Sequence, residues 1–438
     1  MLDAMLRPAD YLDPHVETMS RSEIEALQLR RLEELLPRVY AHSALLRRVW
    51  DAAGVTPEDI SSLADFKAKV PCINKDSIRN YRDEFGDPYG GLRIVGDAEI
   101  ETVGFTSGTT GDPTPVPNGL TNAVEVSHLR ELWHIGGRPG DYCILMMFTF
   151  RGGQSRATFY QSMGMTPIVF PHDPAELPLV IQAIKQYRPT VFYMVSTPLL
   201  IGLERYFEQT GEDPREVFSS VRGACFGGEP LSPRFKALTR SWGLELFEHS
   251  SLGDVAGMTE CSAHDGMHSW EDLALVECLD DEGNEVPDGE LGELTVTSLA
   301  DPVAPLVRYR TEDLVKVTRQ PCACGRTHAR VWPMGRKGDR TVVQGKPVLP
   351  RDIQRLVEQH RETRACLFQI VRPQPELDML HLRTGYDPEA TTDTAELIAR
   401  LTAALEAALE VPVRIELITN AELLKLGPPQ KIPRVTKK

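Results

Sequence analysis

No stretch of the 438 residues approaches the ~20 consecutive apolar residues of a membrane-spanning helix, and the first residues carry no apolar core of a secretory leader. The reading is therefore a cytoplasmic protein with no membrane partner. Basic residues are in deficit, 48 Lys and Arg against 63 Asp and Glu, for a net charge of −15. That balance excludes nonspecific nucleic-acid binding and an anionic membrane surface, because both would be repelled. Cysteine is sparse, eight in all and scattered, which excludes a disulfide framework. There is no internal repeat and no low-complexity segment. What is present, 41% hydrophobic and 25% charged residues, is the composition of a globular protein of two or three units.

A short apolar run breaks at Thr106-Ser-Gly-Thr-Thr-Gly111 into glycines and hydroxyls. Gly108 and Gly111 permit a tight turn that aims backbone N–H groups at an anion, and Thr106, Ser107, Thr109 and Thr110 add hydroxyl donors. No lysine follows, so this is not the loop of the P-loop NTPases. From the residues alone, a phosphate cradle and a Ser/Thr/Gly-rich surface turn both remain open.

Residues 20–53 carry apolar positions at helical spacing, predicting one or two long helices separated or kinked at Pro37. From 100 to 250, strand-like runs near 101–105, 142–149, 166–170, 190–195, 221–226 and 243–247 alternate with helical ones near 121–135, 155–163, 175–187, 197–209 and 232–242. Alternation of this kind predicts an α/β fold with mainly parallel sheets, whose ligands bind where strands end. Beyond 270 the pattern changes to short alternating runs with turn signals, a β-rich subdomain reaching about 335. Residues 336–438 then read as a small α+β C-terminal domain with helices near 351–360 and 392–409 and a strand at 412–418, so the large domain is 1–335. The last stretch, 426–435, is too rich in proline for regular structure. Cys143 and Cys225 lie in apolar runs, as small buried hydrophobes do.

Several separated stretches together resemble the adenylate-forming enzymes, in the branch of the phenylacetate-coenzyme A ligases. Thr106-Ser-Gly-Thr-Thr-Gly-Asp-Pro-Thr114 is similar to the family's phosphate loop, Phe226-Gly-Gly-Glu-Pro230 to its adenine segment, and Arg308-Tyr-Arg-Thr-Glu-Asp313 to its ribose motif. Pro321-Cys-Ala-Cys-Gly-Arg-Thr-His328, the region of Gly335 and Arg336, and Gly345-Lys-Pro-Val-Leu-Pro350 extend the match over nearly the whole chain. The resemblance implies an ATP-dependent ligase. A small acid, aromatic in this branch, attacks the α-phosphate, pyrophosphate leaves, and coenzyme A displaces AMP from the acyl-adenylate. It implies ATP and Mg2+ as cofactors, a mobile C-terminal domain and a possible homodimer.

Carried over by motif, Thr106 to Gly111 would cradle the triphosphate, Gly227, Gly228, Glu229 and Pro230 would lie against adenine, and Asp313 would accept the ribose hydroxyls. Arg326 would steady the nucleotide or form a surface salt bridge, and Lys431 would be the catalytic lysine, neutralising charge at the α-phosphate. Phe150, Arg151, Gly152, Gly153, Ser250 and Ser251 would line the acid pocket. Cys261, His268, Cys322 and Cys324 offer the three sulfurs and one imidazole of a closed zinc site, with His264 and His328 as competing ligands. Some relatives carry zinc in a similar arrangement.

Three features depart from the family. Asp112 follows the phosphate loop where a lysine is usual, Ser251 falls where a magnesium-binding glutamate is expected, and Arg151, Gln154 and Arg156 add charge and polarity to the acid region. Asp254 or Glu260 could substitute for the glutamate only through a local shift. Two other readings stay open: an enzyme of secondary metabolism with a non-coenzyme A acceptor, forming an amide or activating nitrite to diazotise an aryl amine, and a nucleotide-binding protein with weakened catalysis.

Overall fold

The computed structural model describes residues 11–105, 115–118, 123–147, 160–253, 255–426 and 432–437. By its contacts the chain forms two compact units. The first comprises Met1–Gly140, Phe148–Thr166 and His249–Pro333, and the second Asp141–Met147, Pro167–Glu248 and Met334–Lys438. These are units of packing.

In the first unit, Ser20 caps the helix Arg21–His42, its hydroxyl accepting from Glu23 N while the Glu23 carboxylate returns to Ser20 N. Pro37 lies inside this helix, and the break comes six residues later. There Ser43 caps Ala44–Ala53 and donates its hydroxyl to the Gly91 carbonyl at 2.8 Å. Leu35, Leu36, Val39, Trp50 and Phe66 fill a core closed by Leu299 and Val307. The β-rich portion is antiparallel, as its turn signals predict: Ala274–Leu279 pairs with Leu291–Ser298, which pairs with Tyr309–Thr318. Met267–Ser269 runs antiparallel to Ala256–Glu260, and Trp270, fully buried, anchors the core beneath. Strands Thr102–Phe105 and Pro115–Asn118 pair antiparallel.

The second unit carries the α/β alternation. Tyr142–Met147, Val191–Val195 and Gly223–Gly227 pair in parallel, with Thr166–Pro171 beside the first of them. Helices Leu177–Tyr187 and Thr197–Thr210 bury Val180, Ile184, Leu199 and Leu203. Cys143 and Cys225 are fully buried in these strands. Downstream, Leu380–Tyr386 pairs in parallel with Val413–Thr419 and antiparallel with Phe368–Val371, covered by Pro350–Val357 and Thr394–Leu409 through Ile353, Leu397, Leu401 and Leu405. The proline-rich end departs from expectation, because Val435–Thr436 joins this sheet in parallel with Phe368–Val371. Among the described residues no helix is long and apolar enough to cross a membrane.

Candidate active site and metal centre

The strand Gly223–Gly227 is buried along its length and ends at Gly228, whose φ of +99° favours a residue without a Cβ. The chain emerges there as Glu229 and Pro230. The Glu229 carboxylate pairs with Arg434 at 2.6 Å, and the Pro230 carbonyl accepts from Gln354 Nε2 at 3.4 Å. The segment expected to lie against adenine is thus held within the second unit by Gln354 and Arg434.

Asp313 belongs to the first unit, on the strand Tyr309–Thr318. It follows Glu312, whose φ is +65°, and its own N–H donates to Thr311 Oγ1 at 3.1 Å. The two arginines of the same motif are structural. Arg308 donates to both oxygens of Glu277, at 3.1 and 2.8 Å, and to the Val70 carbonyl at 2.6 Å. Arg310 pairs with Glu293 at 2.6 Å. Burial raises the pKa of Glu277, and Arg308 opposes that rise. Both pairs tie the strand to the neighbouring hairpin, and Asp313 on the same strand is half-buried.

Arg326, expected at the nucleotide or in a surface salt bridge, lies instead in a buried ion pair. Only 4% exposed, it donates from Nε to Glu17 Oε2 at 2.7 Å and lies 4.7 Å from the Tyr11 ring centroid. Its guanidinium therefore fastens residues 11–17 to the first unit.

The three cysteines and His268 converge. Cys261, His268, Cys322 and Cys324 are all buried, and their donor atoms lie within 4.8 Å of one another. Cys261 Sγ and Cys322 Sγ are 3.7 Å apart, and Cys324 Sγ is 3.3 Å from His268 Nε2. The other imidazole nitrogen, Nδ1, faces the His328 carbonyl at 3.1 Å, which fixes the tautomer and leaves Nε2 toward the sulfurs. Burial works against charge on His268, but hydrogen bonds with Cys322 and Cys324 outweigh it and raise its pKa to about 9. Hydrogen bonds from Cys261 and Cys322 hold the Cys324 thiol well below the usual range.

The competing histidines have other work. His264 Nδ1 bonds the Glu260 carboxylate at 2.8 Å. His328 Nδ1 accepts from Glu271 N at 2.9 Å, and its Nε2 faces the Val16 carbonyl at 2.9 Å. Glu260, a candidate substitute for the magnesium-binding glutamate, is only 4% exposed and engaged by His264.

Thr106 to Gly111, Asp112, Phe150, Arg151, Gly152, Gly153, Gln154, Arg156, Asp254 and Lys431 lie outside the described residues. Ser250 and Ser251 sit on the strand Leu246–Leu252, opposite Met258 and Gly257, with Ser251 exposed. Beside them is a group that sequence reasoning missed, His128, Glu131 and His249, whose donor atoms also lie within 4.8 Å of one another. Its one local signal was the three-residue spacing of His128 and Glu131 on the helix Ala123–His134.

A family model described as AMP-binding enzyme matches residues 93–300. A phenylacetate-coenzyme A ligase of Thermus thermophilus is 32% identical over 88% of this chain and 83% of its own. The chain belongs to the phenylacetate-coenzyme A ligase family of adenylate-forming enzymes. It is an ATP-dependent, AMP-forming ligase. The family's enzyme from Aromatoleum evansii is 31% identical over 87% of this chain and 86% of its own. Among solved structures, a 2-hydroxyisobutyryl-CoA ligase in the postadenylation state has a TM-score of 0.85, with 24% identity over 99% of this chain and 94% of its own, and shares the fold.

Proposed function

We propose that this ligase activates a small aromatic carboxylic acid as its acyl-adenylate and then passes the acyl group to the thiol of coenzyme A. The observation that carries the reading is 32% identity over 88% of the chain to an enzyme of that activity. Thr106, Ser107, Gly108, Thr109, Thr110 and Gly111 cradle the triphosphate, Gly227 to Pro230 flank adenine, and Asp313 accepts the ribose hydroxyls. As the carboxylate attacks, charge builds on the α-phosphate, and the Lys431 ammonium neutralises it, stabilising the transition state more than the ground state. A divalent magnesium ion bound with ATP supplies Lewis acidity. Ser251 stands where the resemblance puts a magnesium-binding glutamate, so the ion would be held there without that carboxylate. After pyrophosphate leaves, residues 336–438 swing about the Gly335 to Asp339 region to admit the thiol.

Cys261, His268, Cys322 and Cys324 fit a structural zinc. Tetrahedral zinc holds two sulfurs about 3.8 Å apart and a sulfur and nitrogen about 3.6 Å apart, against 3.7 and 3.3 Å here. The set has four donors and is closed, so its task is to pin the 261–268 and 322–324 loops. The same reading places the enzyme in the cytoplasm, as a possible homodimer that light scattering would detect.

A second reading, an acceptor other than coenzyme A in secondary metabolism, is favoured by Ser251 and by the polar 151–156 segment. ATP–pyrophosphate exchange over a panel of aryl acids and nitrite, with and without coenzyme A or an aryl amine, separates the two. Acid-dependent exchange with thioester product is the expected result. Exchange with an amide or diazonium product would overturn the coenzyme A assignment, and ATP binding without exchange would leave only a weakened nucleotide binder.

A further inference from the structure

We propose that His128, Glu131 and His249 form a second metal site, distinct from the cysteine cluster, for a divalent transition-metal ion of the zinc class. His128 and Glu131 stand one turn apart on the helix Ala123–His134, so both side chains leave the same face. His249 comes from the strand Leu246–Leu252, where it lies opposite Thr259 of Ala256–Glu260. One donor atom from each residue lies within 4.8 Å of the others, and His249 Nδ1 is 2.9 Å from Glu131 Oε1. Ligands bound at about 2.1 Å around one tetrahedral ion stand about 3.4 Å apart, so only small side-chain adjustments are needed.

The surroundings hold these residues together. Gly257 N donates to Ser127 Oγ at 2.9 Å, joining the helix to the strand. A Cβ at Gly257 would come within 3.1 Å of His249 Cε1 and 3.2 Å of Ser127 Oγ, so glycine there admits the imidazole and the helix at close range. His128 is 5% exposed and Glu131 1%. A deeply buried carboxylate beside two imidazoles is a donor set that a divalent ion can bind. A close Glu131–His249 pair alone does not call for a second imidazole, whereas a metal would draw on all three donors.

The donor chemistry separates this site from the cysteine cluster. Three sulfurs and one imidazole saturate a tetrahedral ion, while two imidazoles and one carboxylate leave a coordination position for water or a small anion. His249 provides the access, its side chain being 13% exposed against 1% for Glu131. The site also adjoins Ser250 and Ser251 along the strand.

The test is metal stoichiometry on the full chain, reconstituted with Zn2+ alone and freed of loosely bound ion. The unaltered protein should hold about one equivalent more than His128→Ala or Glu131→Gln, and Cys322→Ser should keep that equivalent. With Co2+ in the Cys322→Ser protein, weak ligand-field bands without thiolate charge-transfer absorption are expected. Equal zinc content in the unaltered protein and in folded His128→Ala and Glu131→Gln would overturn the proposal. Crystals of the unaltered protein soaked in Zn2+ answer the same question without substitution: an anomalous peak among the three side chains supports the site, and its absence there while the cysteine cluster is loaded refutes it.

Discussion

Glu17 is fully buried, and its carboxylate accepts hydrogen bonds from Leu12 N, Asp13 N and Arg326 Nε at 2.8, 2.9 and 2.7 Å. Burial pushes its pKa up, but hydrogen bonding with His134 and the charge of Arg326 outweigh it and bring the pKa to about 2. His134 is lowered by burial to about 4. Both groups bind protons more weakly folded than unfolded, so both contribute stability at neutral pH that is lost in acid. The His134 share disappears as pH falls from about 6.5 to 4, and the Glu17 share from about 4.5 to 2, each on the order of 3 kcal/mol. Denaturant titrations at stepped pH should show stability declining through both windows. Glu17→Gln should cost about 3–5 kcal/mol at pH 7, because Arg326 stays buried without its carboxylate, and should flatten the curve below pH 4.5. The presence of Arg326 was legible in its motif, but its partner was not: Glu17 lies 309 residues away in sequence. Asp313, whose two neighbouring arginines are spent on Glu277 and Glu293, should behave differently from Arg326. Asp313→Ala should raise KM for ATP about 10- to 100-fold and leave the fold intact, since it removes ligand contacts rather than a buried pair. An unchanged KM with a lowered melting temperature would assign it a structural role.

The segment 432–437 shows how an element forms where local propensity forbids one. Proline and lysine surround it, yet Val435 pairs with Ile370, Ile432 packs with Ala365, Leu367 and Leu423, and Arg434 holds the strand from three sides. Its guanidinium pairs with Glu229, donates to the Cys366 carbonyl at 2.9 Å and lies 4.5 Å from the Phe368 ring centroid. These partners are distant in sequence, so a reading limited to composition predicted irregular chain. Lys431 immediately precedes this anchored segment in sequence, so on the proposed catalytic role of Lys431, Arg434 would be its positioning residue. Arg434→Ala should speed proteolysis of the C-terminal end and lower kcat for ATP–pyrophosphate exchange at least about tenfold with little change in ATP affinity. Lys431→Ala should abolish exchange, spare ATP binding and leave proteolysis unchanged, separating the chemical group from its support. The first long helix makes the complementary point. Pro37 was the visible breaker, but Ser43 breaks the helix because its hydroxyl both caps the next helix and docks on Gly91.

At the scale of the whole molecule, the cysteine–histidine cluster joins side chains of the first unit that are far apart in sequence, Cys322 lying 61 positions after Cys261. A zinc there would add its binding free energy to folding, so stripping it with a strong chelator should lower the melting temperature on the order of 5–10 °C, and readdition of Zn2+ should restore it. An unchanged melting temperature on verified metal loss would remove the zinc from the stability of the fold. Cys322→Ser should reproduce the chelator's effect.

The sequence alone determined the alternation of strands and helices from 100 to 250, the antiparallel hairpins after 270, and the motifs that place the chain among adenylate-forming ligases. The first two are signals of local periodicity and turn chemistry, and each motif that carries the resemblance is written within a few residues. Tertiary structure decided the rest. It selected His268 over His264 and His328 by occupying their nitrogens with Glu260, Glu271 and Val16, it gave Arg326 to Glu17, and it brought His249 to His128 and Glu131. Each of these choices depends on which side chains meet across a packed interior. That is set by the joint burial of many residues, and no spacing along the chain records it.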